Sequence, residues 1–243
     1  MNTRNLTAAA VLSVVVLLAA GPSAHADEAV SAADLQAARA AATEQSTVDA
    51  VADFLGDLRG KGAATVAVRD GVVPVYTLSP EFVSGARDAQ PGKLAYVAVP
   101  ASSSDGQTST IQTVRGADGR WSVANLASGD QESTLAAKLP AGATLLHEPQ
   151  VNAWYAQKGT RLTVLDAGGS GRRAGERLTV AEYQRAVAKA YGGKQSGSAY
   201  AAQGLAGGFG PQSGEDSVLP LVGLGALALL GSAAFALRVA RRD

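Results

Sequence analysis

The sequence predicts an α+β fold: an antiparallel meander sheet of six or seven strands, with an N-terminal and a C-terminal helix packed on one face. Three observations predict it. Apolar residues recur at helical spacing before residue 60 and again after residue 178, and between those limits the period switches to two. Turn residues punctuate the middle section at short intervals. At each end of the 243-residue chain stands an uncharged apolar run, so a signal peptide and one C-terminal transmembrane helix are expected to flank the domain.

The first run follows Arg4 and ends at Gly21-Pro22, with Ala24 and Ala26 as small residues at −3 and −1. That pattern predicts a signal peptide over residues 1–26. The second run, residues 218–237, is about 20 residues long and would span about 30 Å as a helix, the depth of a bilayer's hydrocarbon core. Arg238, Arg241 and Arg242 follow it at once and should flank the anchor on the cytoplasmic side. The expected organisation is therefore signal peptide 1–26, extracytoplasmic domain 27–191, Gly/Ser-rich linker 192–217, membrane helix 218–237 and basic tail 238–243. It implies a single-pass protein of the cell membrane, N-terminus outside and C-terminus in the cytoplasm, with the lipid bilayer as its first partner. Leu219-Pro220-Leu221-Val222-Gly223 resembles a sortase sorting signal, but Val222 stands where that signal has threonine.

Within the domain, residues 31–59 read as helix, with a break near Gln45. Val48, Val51, Leu55 and Leu58 form one apolar stripe, and Ser46 with Asp49 has capping-box spacing. Residues 65–68 and 72–78 flank Asp70-Gly71, a hairpin turn signal. Pro74 lacks an N–H and places the second of these strands at a sheet edge, at least locally. Strands at 93–99, 108–115 and 121–126 follow as a meander. The imperfect alternation of Trp121, Val123 and Leu126 predicts a bulge. A short helix over 131–139 precedes strands at 144–147, 151–157 and 161–165. Gly168 to Gly175 reads as an exposed loop. The last helix opens at Thr179, where Glu182 completes a capping box and Leu178 faces Tyr183 as a hydrophobic staple.

Composition limits the chemistry. The chain has no cysteine, so thiol catalysis, disulfides and cysteine-ligated metals are excluded. Beyond the signal peptide His147 is the only histidine, which excludes multi-histidine metal sites. No calcium-loop, phosphate-loop or dinucleotide pattern occurs, so no metal or cofactor is expected. Residues 27–217 carry 17 basic and 20 acidic side chains, a balance that disfavours nucleic acid. His147 and Glu148 are adjacent and should point to opposite faces of a strand, so they should not form a dyad. The serines at 102–104 have no nucleophile-elbow context, so no catalytic residue is assigned. Trp121, Trp154 and Tyr155 are the candidate ligand-binding residues, since aromatic side chains anchor many interfaces; burial in the core is the competing expectation. Arg172, Arg173 and Arg177 form a small basic cluster. The functional expectation is a non-catalytic binding or accessory module at the bacterial cell surface, with a membrane or envelope protein as a possible partner. The alternatives are an envelope hydrolase lacking a motif and a structural surface protein.

Overall fold

A computed structural model describes residues 30–58, 60 and 65–195. The expected signal peptide, most of the linker, the membrane segment, and Arg238, Arg241 and Arg242 lie outside the described residues. Among the described residues no helix is long and apolar enough to cross a membrane.

The fold is α+β: a nine-stranded, mostly antiparallel sheet with helices packed against it. The chain opens with α1 (Ala32–Ala42) and α2 (Gln45–Leu58). The break between them falls where expected, at Thr43, whose N–H bonds back to the carbonyls of Arg39 and Ala40. The capping box, however, sits at Ser31 and Asp34; α2 begins one residue before Ser46.

Strands β1 (Val66–Val68) and β2 (Val73–Leu78) both pair antiparallel with β3 (Gly92–Ser103). They do not pair with each other, which corrects the hairpin expected at Asp70-Gly71. The physical reason is the length of β3. Its 12 residues offer one edge that takes Val68 opposite Ala101 and then Val73 opposite Ala98. Residues 69–72 therefore link two strands along one edge of β3; the Arg69 N–H still donates to the Pro100 carbonyl at 2.7 Å, and Gly71 takes a φ of 97°. Arg39 of α1 secures this excursion, pairing with Asp70 at 2.9 Å and donating to the Arg69 carbonyl at 2.8 Å. After β2 comes one helical turn, α3 (Pro80–Val83), N-capped by the Ser79 hydroxyl.

β3, β4 (Thr108–Arg115) and β5 (Trp121–Ser128) form the expected meander. Its bulge is where the alternation failed: Gln112 opposes Asn125 and Thr113 opposes Val123, leaving Ala124 without an opposite residue. Trp121, Val123 and Leu126 thus share one face and pack on the same core cluster.

The chain then crosses over through α4 (Gln131–Ala136) to β6 (Thr144–Glu148), which lies parallel to β2. A second meander follows: β7 (Ala153–Lys158), β8 (Arg161–Asp166) and β9 (Arg177–Thr179). The strand order is β5-β4-β3-β2-β6-β7-β8-β9, with β1 beside β3. The sheet is thus mixed and has nine strands, not a purely antiparallel set of six or seven. β2 is central, but β6 pairs only with Val75, Tyr76 and Thr77. Pro74, with no N–H to offer, stands just before that pairing begins, so the edge its chemistry requires exists locally.

Alternation along the strands sorts the core into three clusters. Leu146 and Tyr155 face α3 and α5 (Val180–Tyr191). Val97, Val99 and Ile111 lie on that same face, further along the sheet, under α1 and α2. Val73, Val75, Ala98, Leu145 and Trp154 point to the opposite face, where Leu135 of α4 covers them. The terminal helices therefore share one face, and α4 adds a partial layer on the other. At α5 the Thr179–Glu182 capping box is present, and Leu178 packs on the cluster containing Tyr183.

Candidate functional site

An open groove of about 550 Å³ lies beside α4. Its floor is β3, through Pro100 and Ser102. One wall is α4, through Ser133 and Ala136, and the other is the excursion at 69–72. Small side chains make it accessible, and the hydroxyls of Ser102, Thr108 and Ser133 can exchange hydrogen bonds with an occupant. Arg69, Asp70 and Asp130 bring charge of both signs to it.

Glu132 fixes the α4 wall. Its carboxylate is buried, 7% exposed, and accepts from Tyr96 Oη at 2.9 Å and Thr110 Oγ1 at 3.0 Å. A buried carboxylate needs such donors to offset its lost hydration. Burial first, and then the Glu132 charge, push the Tyr96 phenol well above its ordinary range, so the phenol remains a donor. Two strands of the sheet are thereby bonded to a helix of only six residues.

The three aromatic candidates are not brought together. Trp121 is partly buried on β5 and donates Nε1–H to Asp34 at 3.3 Å, tying the edge strand to α1. The Ser31 hydroxyl, and then Trp121, hold the Asp34 carboxyl below its usual range. Trp154 and Tyr155 are core residues on opposite faces, 3% and 0% exposed. Trp154 Nε1 is a buried donor with no partner among the described residues. None of the three lines the groove.

His147 stacks on Trp154, ring centroids 3.9 Å apart and planes 14° from parallel, with Nε2 3.1 Å from Asn152 Oδ1. Glu148 points to the other face, so strand alternation separates the pair as expected. Neither residue lines the groove where Ser102 and Ser103 lie. The Ser103 hydroxyl donates to Asp105 and bonds within its own hairpin. Asp118 accepts from the Arg120 N–H, as a turn residue does. Among the described residues no group of three His, Cys, Asp or Glu side chains could hold a metal ion.

Burial is the main cause that lowers the His147 pKa. The folded state therefore resists a proton that the unfolded chain accepts near pH 6.5. The stability this gives is present above about pH 6.5 and is lost as pH falls through the depressed folded value. Thermal melts between pH 7.5 and 5 should show a steeper loss for the native protein than for His147→Gln. Parallel curves would mean that the imidazole takes up its proton alike in the folded and unfolded states.

Sequence reasoning missed the groove, because its lining comes from three segments well apart in the chain, none with a local motif. It also missed the partners of Glu148. That carboxylate is 6% exposed and accepts from three phenols: Tyr155 at 2.7 Å, Tyr183 at 2.9 Å and Tyr191 at 2.8 Å. Tyr183 and Tyr191 lie eight residues apart on α5, a spacing that puts two side chains on one helix face. That signal was readable, but the acid they share was not. No family model, no curated protein and no solved structure matches this chain.

Proposed function

We propose that the chain is a non-catalytic binding or accessory module at the bacterial cell surface, held outside the cytoplasm by the apolar segment 218–237. The observation that carries the binding role is the groove beside α4. It is open, about 550 Å³ in volume, and walled by α4, bonded to the sheet through Glu132, and by residues 69–72, bonded to α1 through Arg39. Its small side chains and scattered hydroxyls suit an extended protein segment, which needs hydrogen-bond partners along its length and room for side chains. A partner in the membrane or envelope fits a domain tethered beside the bilayer. The basic residues 238, 241 and 242 complete the anchor on the inner side.

Photo-crosslinking in intact cells tests this reading. A benzophenone amino acid at Ser102 or Ser133 should yield a discrete adduct, and the same group at Ser84, an exposed residue outside the groove, should not. Equal yields from both places, or no adduct from either groove position, would remove the binding role from the groove.

A further inference from the structure

We infer that the part of the sheet face beside β7, β8 and β9 is a binding site for a phosphate group, built from Lys158, Arg161 and Arg177. These residues line a second depression of about 270 Å³, with Pro140 on its rim, Ala156 on its floor and the Thr163 hydroxyl beside them. The site is separate from the groove and does not depend on it.

The pairing register brings the three cations together. Lys158 lies directly opposite Arg161 across the β7–β8 turn, and Arg177 lies opposite Thr163. Residues 161 and 163 share a face, so all three cations project on the same side. Like charges directly opposite each other in a sheet destabilise it. Other arginines in this protein have acidic partners: Arg39 with Asp70, Arg115 with Asp34, Arg172 with Glu176. Here no carboxylate of the described residues comes within 4.0 Å of any of the three. Glu182 is close enough for Arg161 to act on its charge, but its carboxylate is bonded to the Thr179 N–H and hydroxyl. A local rule broken without internal compensation marks a place shaped by something other than folding.

The donor set selects the ligand class. Two arginines and a lysine line a depression large enough for one tetrahedral oxyanion, together with the Thr163 hydroxyl. Guanidinium binds phosphate oxygens in pairs, and lysine adds a point charge. A phosphate brings several acceptor oxygens and up to two negative charges to three cations.

The test uses the full chain in a neutral detergent, with inorganic phosphate as the probe, titrated by calorimetry at low salt. Saturable binding is expected, weakening as salt rises. The variant Arg161→Gln/Arg177→Gln should bind at least tenfold more weakly and melt at the same temperature or higher, because the repulsion is relieved. A purely structural role predicts a lower melting temperature instead. If that double variant fails to fold, Lys158→Gln, at an exposed position, should still weaken binding severalfold. A second arm separates the sources of phosphate. The chain has no cysteine, so Thr160→Cys can carry an environment-sensitive fluorophore in nanodiscs without added phosphate. A response to phosphatidylglycerol but not to phosphatidylcholine identifies a lipid headgroup as the source. A response only to dissolved phosphate identifies a soluble or polymer-borne group. Equal phosphate binding by native and variant proteins, or no response in either arm, overturns the inference.

Discussion

Replacing Glu148 with alanine is expected to remove about 3–5 kcal/mol of stability, because three phenolic donors lose the acceptor they share. Three tyrosine hydroxyls converge on this carboxylate, from β7 and from two positions on α5. Phenols take the place of a cation: each gives a charge-assisted bond, typically about 1.5–3 kcal/mol net. Removing the acid leaves three phenolic oxygens around a void. Each unsatisfied group costs about 1–3 kcal/mol, and water entry recovers part of that. In a domain of this size the melting temperature should fall by about 10 °C. Glu148→Gln keeps one acceptor but turns an NH₂ group toward donors, and should lose roughly half as much. Denaturant unfolding of the three proteins checks the order. A loss below about 1 kcal/mol for Glu148→Ala would mean that the phenols find other partners.

The same cluster predicts behaviour in alkali. Burial first, and then hydrogen bonding to or the charge of Glu148, push the phenols of Tyr155, Tyr183 and Tyr191 above their ordinary range. In the unfolded chain they ionise near pH 10. Their raised folded values contribute stability that is whole below pH 10 and is lost as pH rises beyond it. Near-ultraviolet titration should show tyrosine ionisation arriving together with unfolding.

Gly168→Ala is the second large effect, about 3 kcal/mol destabilising. Gly168 takes a φ of 47°, and a Cβ there would press into the backbone carbonyls of Val151 and Asn152. Backbone carbonyls cannot swing aside as side-chain tips do, so the loop or the β6–β7 turn would have to move. The clash exists because the loop is docked. Gly169 donates to the Val151 carbonyl at 2.6 Å, and Gly168 to Asp166 at 3.0 Å. Gly171→Ala is the control: its φ is 72°, yet nothing lies within 4 Å of the added atom, so it should cost only about 1 kcal/mol. Similar losses for both would assign the effect to backbone conformation alone.

These two places also mark how far the sequence could be read. Gly168 to Gly175 reads as an exposed loop because composition reports turn-forming residues and is silent about what the loop lies against. Glu148 was noticed only as a neighbour of His147, since its partners come from residues 155, 183 and 191. What depends on residues close in the chain was legible: the break after α1, the box at Thr179 and Glu182, the bulge betrayed by Trp121, Val123 and Leu126. What depends on competition between distant segments was not. Asp70-Gly71 has hairpin chemistry, yet the long edge of β3 captures both flanking strands. The parallel contact of β2 with β6 has no local marker, because the crossover through α4 sets it. The groove arises from such pairings.

Tyr191 ends α5, and the described chain stops four residues later. Any mechanical load arriving along the following segment therefore enters the fold through that helix. It meets a phenol fastened to an acid in the sheet before it reaches a strand. Pulled from this end, the domain should yield stepwise, shedding its last helix at low force while the first meander, β3 to β5, stays intact.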